Sequence, residues 1–154
     1  MIDHMTLTVR DFARSKAFFE RALAPLGCRV LMEFGGMCGF GDEKPFFWMK
    51  AGDPPTTPQH IAFTARRRSD VDDFHAEALA AGGRDNGAPG LRLDYHPSYY
   101  AAFVLDPEGH NIEAVNHREP APARAKATRA ARGARKARPA ARSRKAAGAR
   151  ARRR

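Results

Sequence analysis

His60-Ile61-Ala62-Phe63-Thr64 repeats, at an offset of 56 residues, the alternation of His4-Met5-Thr6-Leu7-Thr8. In both stretches the apolar side chains take every second position, which is the period of a strand with one buried and one open face. The two histidines share the open face. Thr8 recurs as Thr64 and Gly27 as Gly83 at the same offset, so the chain reads as an internal duplication.

Outward from each histidine the same succession of elements follows. Asp11 is placed to cap a helix in which Phe12, Phe19, Leu23 and Leu26 form an apolar stripe, ended by Gly27. Three apolar runs come next, Cys28 to Phe34, Met37 to Phe40 and Pro45 to Lys50. Gly35-Gly36 and Gly41-Asp42 separate them as turn signals, which predicts a three-stranded meander. Ala51 to Pro58 is a linker, and the pattern then restarts.

In the second half, Ser69-Asp70-Val71-Asp72 reads as a capping box opening a helix that buries Val71, Phe74 and Ala78 and stops at Gly82-Gly83. Tyr99 to Leu105 and Asn111 to Asn116 read as strands joined by the tight turn Asp106-Pro107-Glu108-Gly109. Arg84 to Ser98 reads as a long loop over the cleft holding a poorly formed strand. The predicted class is α+β: two βαβββ modules, about 1–51 and 58–118, in a cup-shaped mixed sheet with helices on the outside.

Composition sets the remainder of the chain apart. The segment 119–154 is Ala/Arg/Lys-rich, and of the whole chain's +10 its residues 120–154 alone supply +14, so residues 1–119 carry −4. The basic balance therefore belongs to a tail, expected to be disordered because it has almost nothing larger than Ala to bury. Such a tail has the chemistry for non-specific contact with nucleic acid through counterion release. Two cysteines, Cys28 and Cys38, are too few for a disulfide framework and fit a reducing compartment. No signal peptide or membrane span is legible, so a cytoplasmic location is expected.

The alternation also selects candidate ligands. His4 and His60 occupy equivalent places on two related strands. In Asn111-Ile112-Glu113-Ala114-Val115, Ile112 and Ala114 can face the helices, which leaves Glu113 on the concave side with them. A lone strand histidine is most often structural; a repeat-related pair with a carboxylate is a known set for a divalent metal with open positions. His75, His110 and His117 have no repeat-related partner and read as solvent-facing or capping. Arg66-Arg67-Arg68 reads as a solvated turn that can also attract an anion.

The segments Ile2-Asp3-His4, Gln59-His60-Ile61-Ala62-Phe63 and Asp106-Pro107-Glu108-Gly109-His110-Asn111-Ile112-Glu113 resemble the vicinal oxygen chelate superfamily, also called the glyoxalase/bleomycin-resistance/dioxygenase superfamily. The resemblance covers residues 1–117. It implies metal ligands on the first and last strands of the modules, here His4, His60 and Glu113, for one divalent ion among Zn, Fe, Mn, Ni and Mg. It also implies a small-molecule substrate and a homodimer. The fourth ligand position of glyoxalase I falls at Trp48, which cannot ligate.

Extradiol dioxygenases of that superfamily carry a His, an aliphatic-Tyr pair, Asp-Pro-x-Gly and the ligand Glu. His96, Ala102-Phe103, Asp106-Pro107-Glu108-Gly109 and Glu113 follow that order, so His96 aligns with their acid/base while Phe103 replaces the Tyr hydroxyl. Tyr95, Tyr99 and Tyr100 are near enough to supply a phenol, and the catalytic candidates are His96 and Tyr100. Phe47, Trp48, Tyr99 and Phe103 are the expected pocket walls. The resemblance thus implies a metalloenzyme of lyase, isomerase or dioxygenase type acting on a vicinal-oxygen compound. A ligand-sequestering protein of the bleomycin-resistance type, with or without metal, is the alternative.

Overall fold

Alternation decides which way each strand of the molecule faces. The computed structural model describes residues 2–119. β1 (Met5–Val9) turns Leu7 and Val9 into the core and leaves Thr6 exposed. Asp11 then caps α1 (Phe12–Leu23), accepting from the Arg14 N–H at 3.0 Å. The apolar spacing predicts a helix to Leu26, but its last turn tightens to a 3-10 turn over Ala24–Leu26. Pro25 is the physical reason, since it has no N–H for the helical ladder. Gly27, with φ 83°, ends the turn in the left-handed region.

β2 (Arg29–Phe34), β3 (Met37–Gly41) and β4 (Pro45–Ala51) form the expected meander, and β4 pairs in parallel with β1 to give the order β1-β4-β3-β2. The second module repeats the plan. β5 (His60–Thr64) leads to α2 (Arg68–Ala80), then to β6 (Arg84–Leu91), β7 (Tyr100–Leu105) and β8 (Asn111–Asn116), in the order β5-β8-β7-β6. The Asp70 carboxylate accepts from the Arg67 N–H at 3.1 Å, so α2 opens one residue before Ser69 and Arg67 takes the cap position. β6, read from sequence as poorly formed, is an eight-residue strand with register shifts at Asp85/Gly87 and Gly87/Gly90. Its glycines and Pro89 hide the strand pattern from a reading of hydrophobic period.

The fold is thus α+β, with two four-stranded mixed sheets and two helices. One core runs through both modules. Phe19 of α1 meets Phe18 of the same helix and Phe40 and Phe47 of the first sheet, and Phe47 meets Phe63 of β5 with ring centroids 5.4 Å apart. Both cysteines are buried free thiols, and burial pushes the Cys38 thiol up to about 11. No helix among the described residues is long and apolar enough to cross a membrane. The expectations of a disordered tail and of a nucleic-acid contact fall on residues 120–154, outside the described residues.

Candidate functional site

In the second module the parallel pair β5 and β8 sets Ala62 opposite Glu113 and His60 opposite Asn111. Ile112 and Ala114 point into the core, so Glu113 takes the other face, and the His60 Nε2 lies 2.8 Å from its Oε2. Glu113 is 1 % exposed, whereas half of the His60 side chain is open to solvent. The second carboxylate oxygen accepts from the Tyr99 hydroxyl at 2.6 Å. Burial first, and the Glu113 carboxylate second, push the Tyr99 phenol up to about 12.

Around this pair stand rings. Phe103 lies 6.0 Å from His60 by centroids, and the Arg92 guanidinium lies over the Phe103 ring, 5.3 Å from its centroid. Tyr99 precedes β7 and is fixed by its loop, donating its N–H to the His96 carbonyl and accepting from the Arg92 N–H. The ring of His96 stacks on that of His117, their Nε2 and Nδ1 atoms 3.0 Å apart. Because the His96 Nδ1 accepts from the Ser98 N–H at 3.1 Å, the His96 proton sits on Nε2 and is donated to His117. Both rings meet Tyr99 edge-on.

In the first module, His4, Thr6, Phe34, Met37 and Trp48 line a separate hollow of about 180 Å³. The exposed His4 hydrogen-bonds Asp3 at 2.8 Å. Trp48 stands opposite Thr6 in the β1/β4 ladder, and its ring meets that of Phe34 at 6.3 Å. Among the described residues, no three His, Cys, Asp or Glu side chains gather where one metal ion could sit. His60 and Glu113 are together, and His4 immediately precedes β1 of the other sheet.

Two expected site residues lie away from the His60 and Glu113 pair. Phe47 is fully buried among Phe19, Phe40 and Phe63, on the face of β4 opposite Trp48. Tyr100 shares the helix-facing side of β7 with Ala102 and Val104; its hydroxyl donates to Asp72 of α2 at 2.7 Å and Arg68 lies over its ring. The phenol that reaches Glu113 is that of Tyr99 instead. His110, expected to face solvent or to cap, is fully buried, and His75 pairs with Asp85 at 2.8 Å. Each arginine of the 66–68 run has a partner of its own: Asp42, Asp70 and the Tyr100 ring.

A model of the Glyoxalase/Bleomycin resistance protein/Dioxygenase superfamily matches residues 1–114. The chain belongs to that superfamily. Solved structures of the same superfamily share the fold. A glyoxalase/bleomycin resistance protein from Albidiferax ferrireducens is 25% identical, with TM-score 0.66, and the match covers 75% of this chain and 98% of that one. A family enzyme from Burkholderia phytofirmans is 19% identical, with TM-score 0.61 over 76% and 98% of the two chains. FosX, a fosfomycin resistance protein from Listeria monocytogenes, was solved as a mutant with Mn(II) and 1S,2S-dihydroxypropylphosphonic acid; it is 19% identical, with TM-score 0.57 over 75% and 88%. The search of curated proteins by sequence found no match.

Proposed function

We propose that this member of the superfamily is a divalent-metal-dependent enzyme acting on a small compound with adjacent oxygens. His60 and Glu113 hold the metal, and a second copy of the chain supplies His4. The observation that carries this reading is the buried Glu113 carboxylate 2.8 Å from an open imidazole. A buried carboxylate needs strong partners, and a cation shared with His60 meets that need. The separation suits the fit, because adjacent donor atoms bound at roughly 2.1 Å to one ion stand about 3 Å apart. Imidazole with carboxylate suits Zn, Fe, Mn or Ni better than it suits Mg, which favours all-oxygen sites.

The homodimer is supported by the division of the ligands between two sheets and by the edge positions of β1 and β5, which leave unpaired strand edges for a second copy to cover. FosX, solved with Mn(II), supports metal use by analogy of fold.

The metal, when bound, supplies a Lewis acid for the adjacent substrate oxygens. Tyr99 stays protonated at neutral pH and acts as a donor that orients Glu113. His96, hydrogen-bonded to His117, borders Tyr99 and is the group of the right chemistry to move a substrate proton. Phe103 contributes an apolar wall and no proton. Metal analysis of the purified chain is expected to find about one divalent ion per chain, sharply reduced by His60→Ala or Glu113→Ala. Full retention in either variant would remove that residue from the site.

A second reading, sequestration of a planar ligand, is favoured by the hollow of Phe34 and Trp48, with Phe34 half exposed. Trp48 is the single tryptophan. Quenching of its fluorescence by an aromatic ligand, equal with and without metal and with no turnover, would favour this reading over the first.

A further inference from the structure

The edge strand that carries His60 begins where its ladder runs out. β5 has a single neighbour in its sheet, β8, and the carbonyl of Gln59, the residue before β5, accepts from the Asn111 N–H at 2.8 Å. In a parallel ladder the N–H of the same residue would go to the carbonyl two positions before Asn111, which is that of Gly109. The chain is still turning there: Gly109 has φ 90° and donates its N–H to the Asp106 carbonyl. The Gln59 N–H goes instead to the Nδ1 of His110, at 3.0 Å.

His110 is well held for this task. It is fully buried, and its backbone N–H donates to the Asp106 Oδ1 at 2.7 Å, an oxygen that also accepts from the Glu108 N–H. Because Nδ1 accepts, the ring proton sits on Nε2. Among the described residues, the bond to Gln59 is the only hydrogen bond the ring makes. His60 follows immediately, at the start of an edge strand entered from a linker without regular structure, the kind of strand end that frays first.

We propose that His110 is a positioning residue for His60: its imidazole stands in for the missing ladder carbonyl and so holds the His60 ring against Glu113. The proposal rests on the reading of His60 and Glu113 as metal ligands. It assigns His110 no contact with metal or substrate.

The test compares His110→Asn with His110→Leu in the full chain. The two side chains share a shape, but only Asn carries an acceptor near the place of Nδ1. Co(II) titration of the Leu variant is expected to show binding weakened about 10–100-fold, with the Asn variant within roughly threefold of the parent. Amide exchange at Gln59 should quicken in the Leu variant and stay slow in the Asn variant. If the Leu variant does not fold, His110→Gln, whose amide lies one carbon further out, takes its place with the same expectation. Parent-like Co(II) binding and exchange in the Leu variant, or an Asn variant as weak as Leu, would overturn the proposal. A parent chain that binds no Co(II) would sink the ligand reading instead. The positioning claim would then be decided by Gln59 exchange and by the contact of the His60 and Phe103 rings in NMR.

Discussion

Trp48 holds in the first module the ladder position that Glu113 holds in the second: one faces Thr6 across β1 and β4, the other Ala62 across β5 and β8. The two halves of the molecule have kept their register and lost their chemical symmetry. One offers a buried carboxylate, the other an indole surface beside Phe34. At this pair of equivalent ladder positions the second module presents a side chain that can ligate a metal, and the first presents one that cannot.

Adjacent aromatic residues of β4 should respond in opposite ways. Phe47→Ala is expected to destabilise the fold by about 3–5 kcal/mol, since it empties a site closed by Phe19, Phe40 and Phe63. Trp48→Ala should cost far less stability but weaken binding of any planar ligand. Urea unfolding and ligand titration of the two variants check this; a large stability loss for Trp48 with none for Phe47 would invert the assignment of faces.

The two tyrosines should separate likewise. Tyr99→Phe removes the donor to Glu113 and is expected to lower metal affinity or turnover by about tenfold. Tyr100→Phe removes only a hydrogen bond to exposed Asp72, worth about 1 kcal/mol of stability or less. Equal activity in the parent and Tyr99→Phe would show that this hydroxyl has no part in the site.

The opposite faces of Phe47 and Trp48 are legible in the sequence. Period-2 alternation places Phe47 with Met49 and against Trp48, so both rings cannot face one cleft. Alternation did identify the His60 and Glu113 pair, because both lie within or at the start of regular strands. Tyr99 was not legible in this way: it precedes β7, and its direction is set by loop hydrogen bonds to Arg92 and His96 that have no period. His117 escaped for a similar reason, since its partner His96 lies 21 residues earlier and only the closing of the 92–99 loop brings them together. The division of His4 from His60 and Glu113 depends on how the modules pack, and strand patterns carry no information on that.

Asp70 links α2 to pH. The Arg67 side chain holds its carboxyl below the ordinary carboxylate range, and its oxygens also accept the Arg67 N–H at the helix start. The folded value lies below the unfolded one, so ionised Asp70 contributes stability in full above about pH 3.9, the unfolded reference. That contribution is lost as pH falls through the lower folded value. Because the Arg67 guanidinium is mostly exposed, the ion pair is screened and the contribution is about 1 kcal/mol, chiefly from capping. Asp70→Asn is expected to lower the urea midpoint at neutral pH and to flatten its dependence on pH below 3.9; a parallel, equally steep profile would assign the acid sensitivity to another carboxylate.

The proposed sharing of the site between two copies predicts a complementation pattern that no single-chain site can produce. His4→Ala and Glu113→Ala should each abolish metal binding alone. Mixed, unfolded and refolded together, they form half heterodimers at equal ratio. In each heterodimer one site combines both lesions, while the other combines the intact His4 of one chain with the intact His60 and Glu113 of the other. Roughly a quarter of all sites should therefore recover metal, if assembly is random and twofold symmetric. A mixture of His60→Ala with Glu113→Ala should recover none, because both lesions fall on the same half-site. Recovery by the second mixture, or none by the first from proteins shown to exchange subunits, would place His4 outside the metal site and leave its hollow with Trp48 as a binding surface alone.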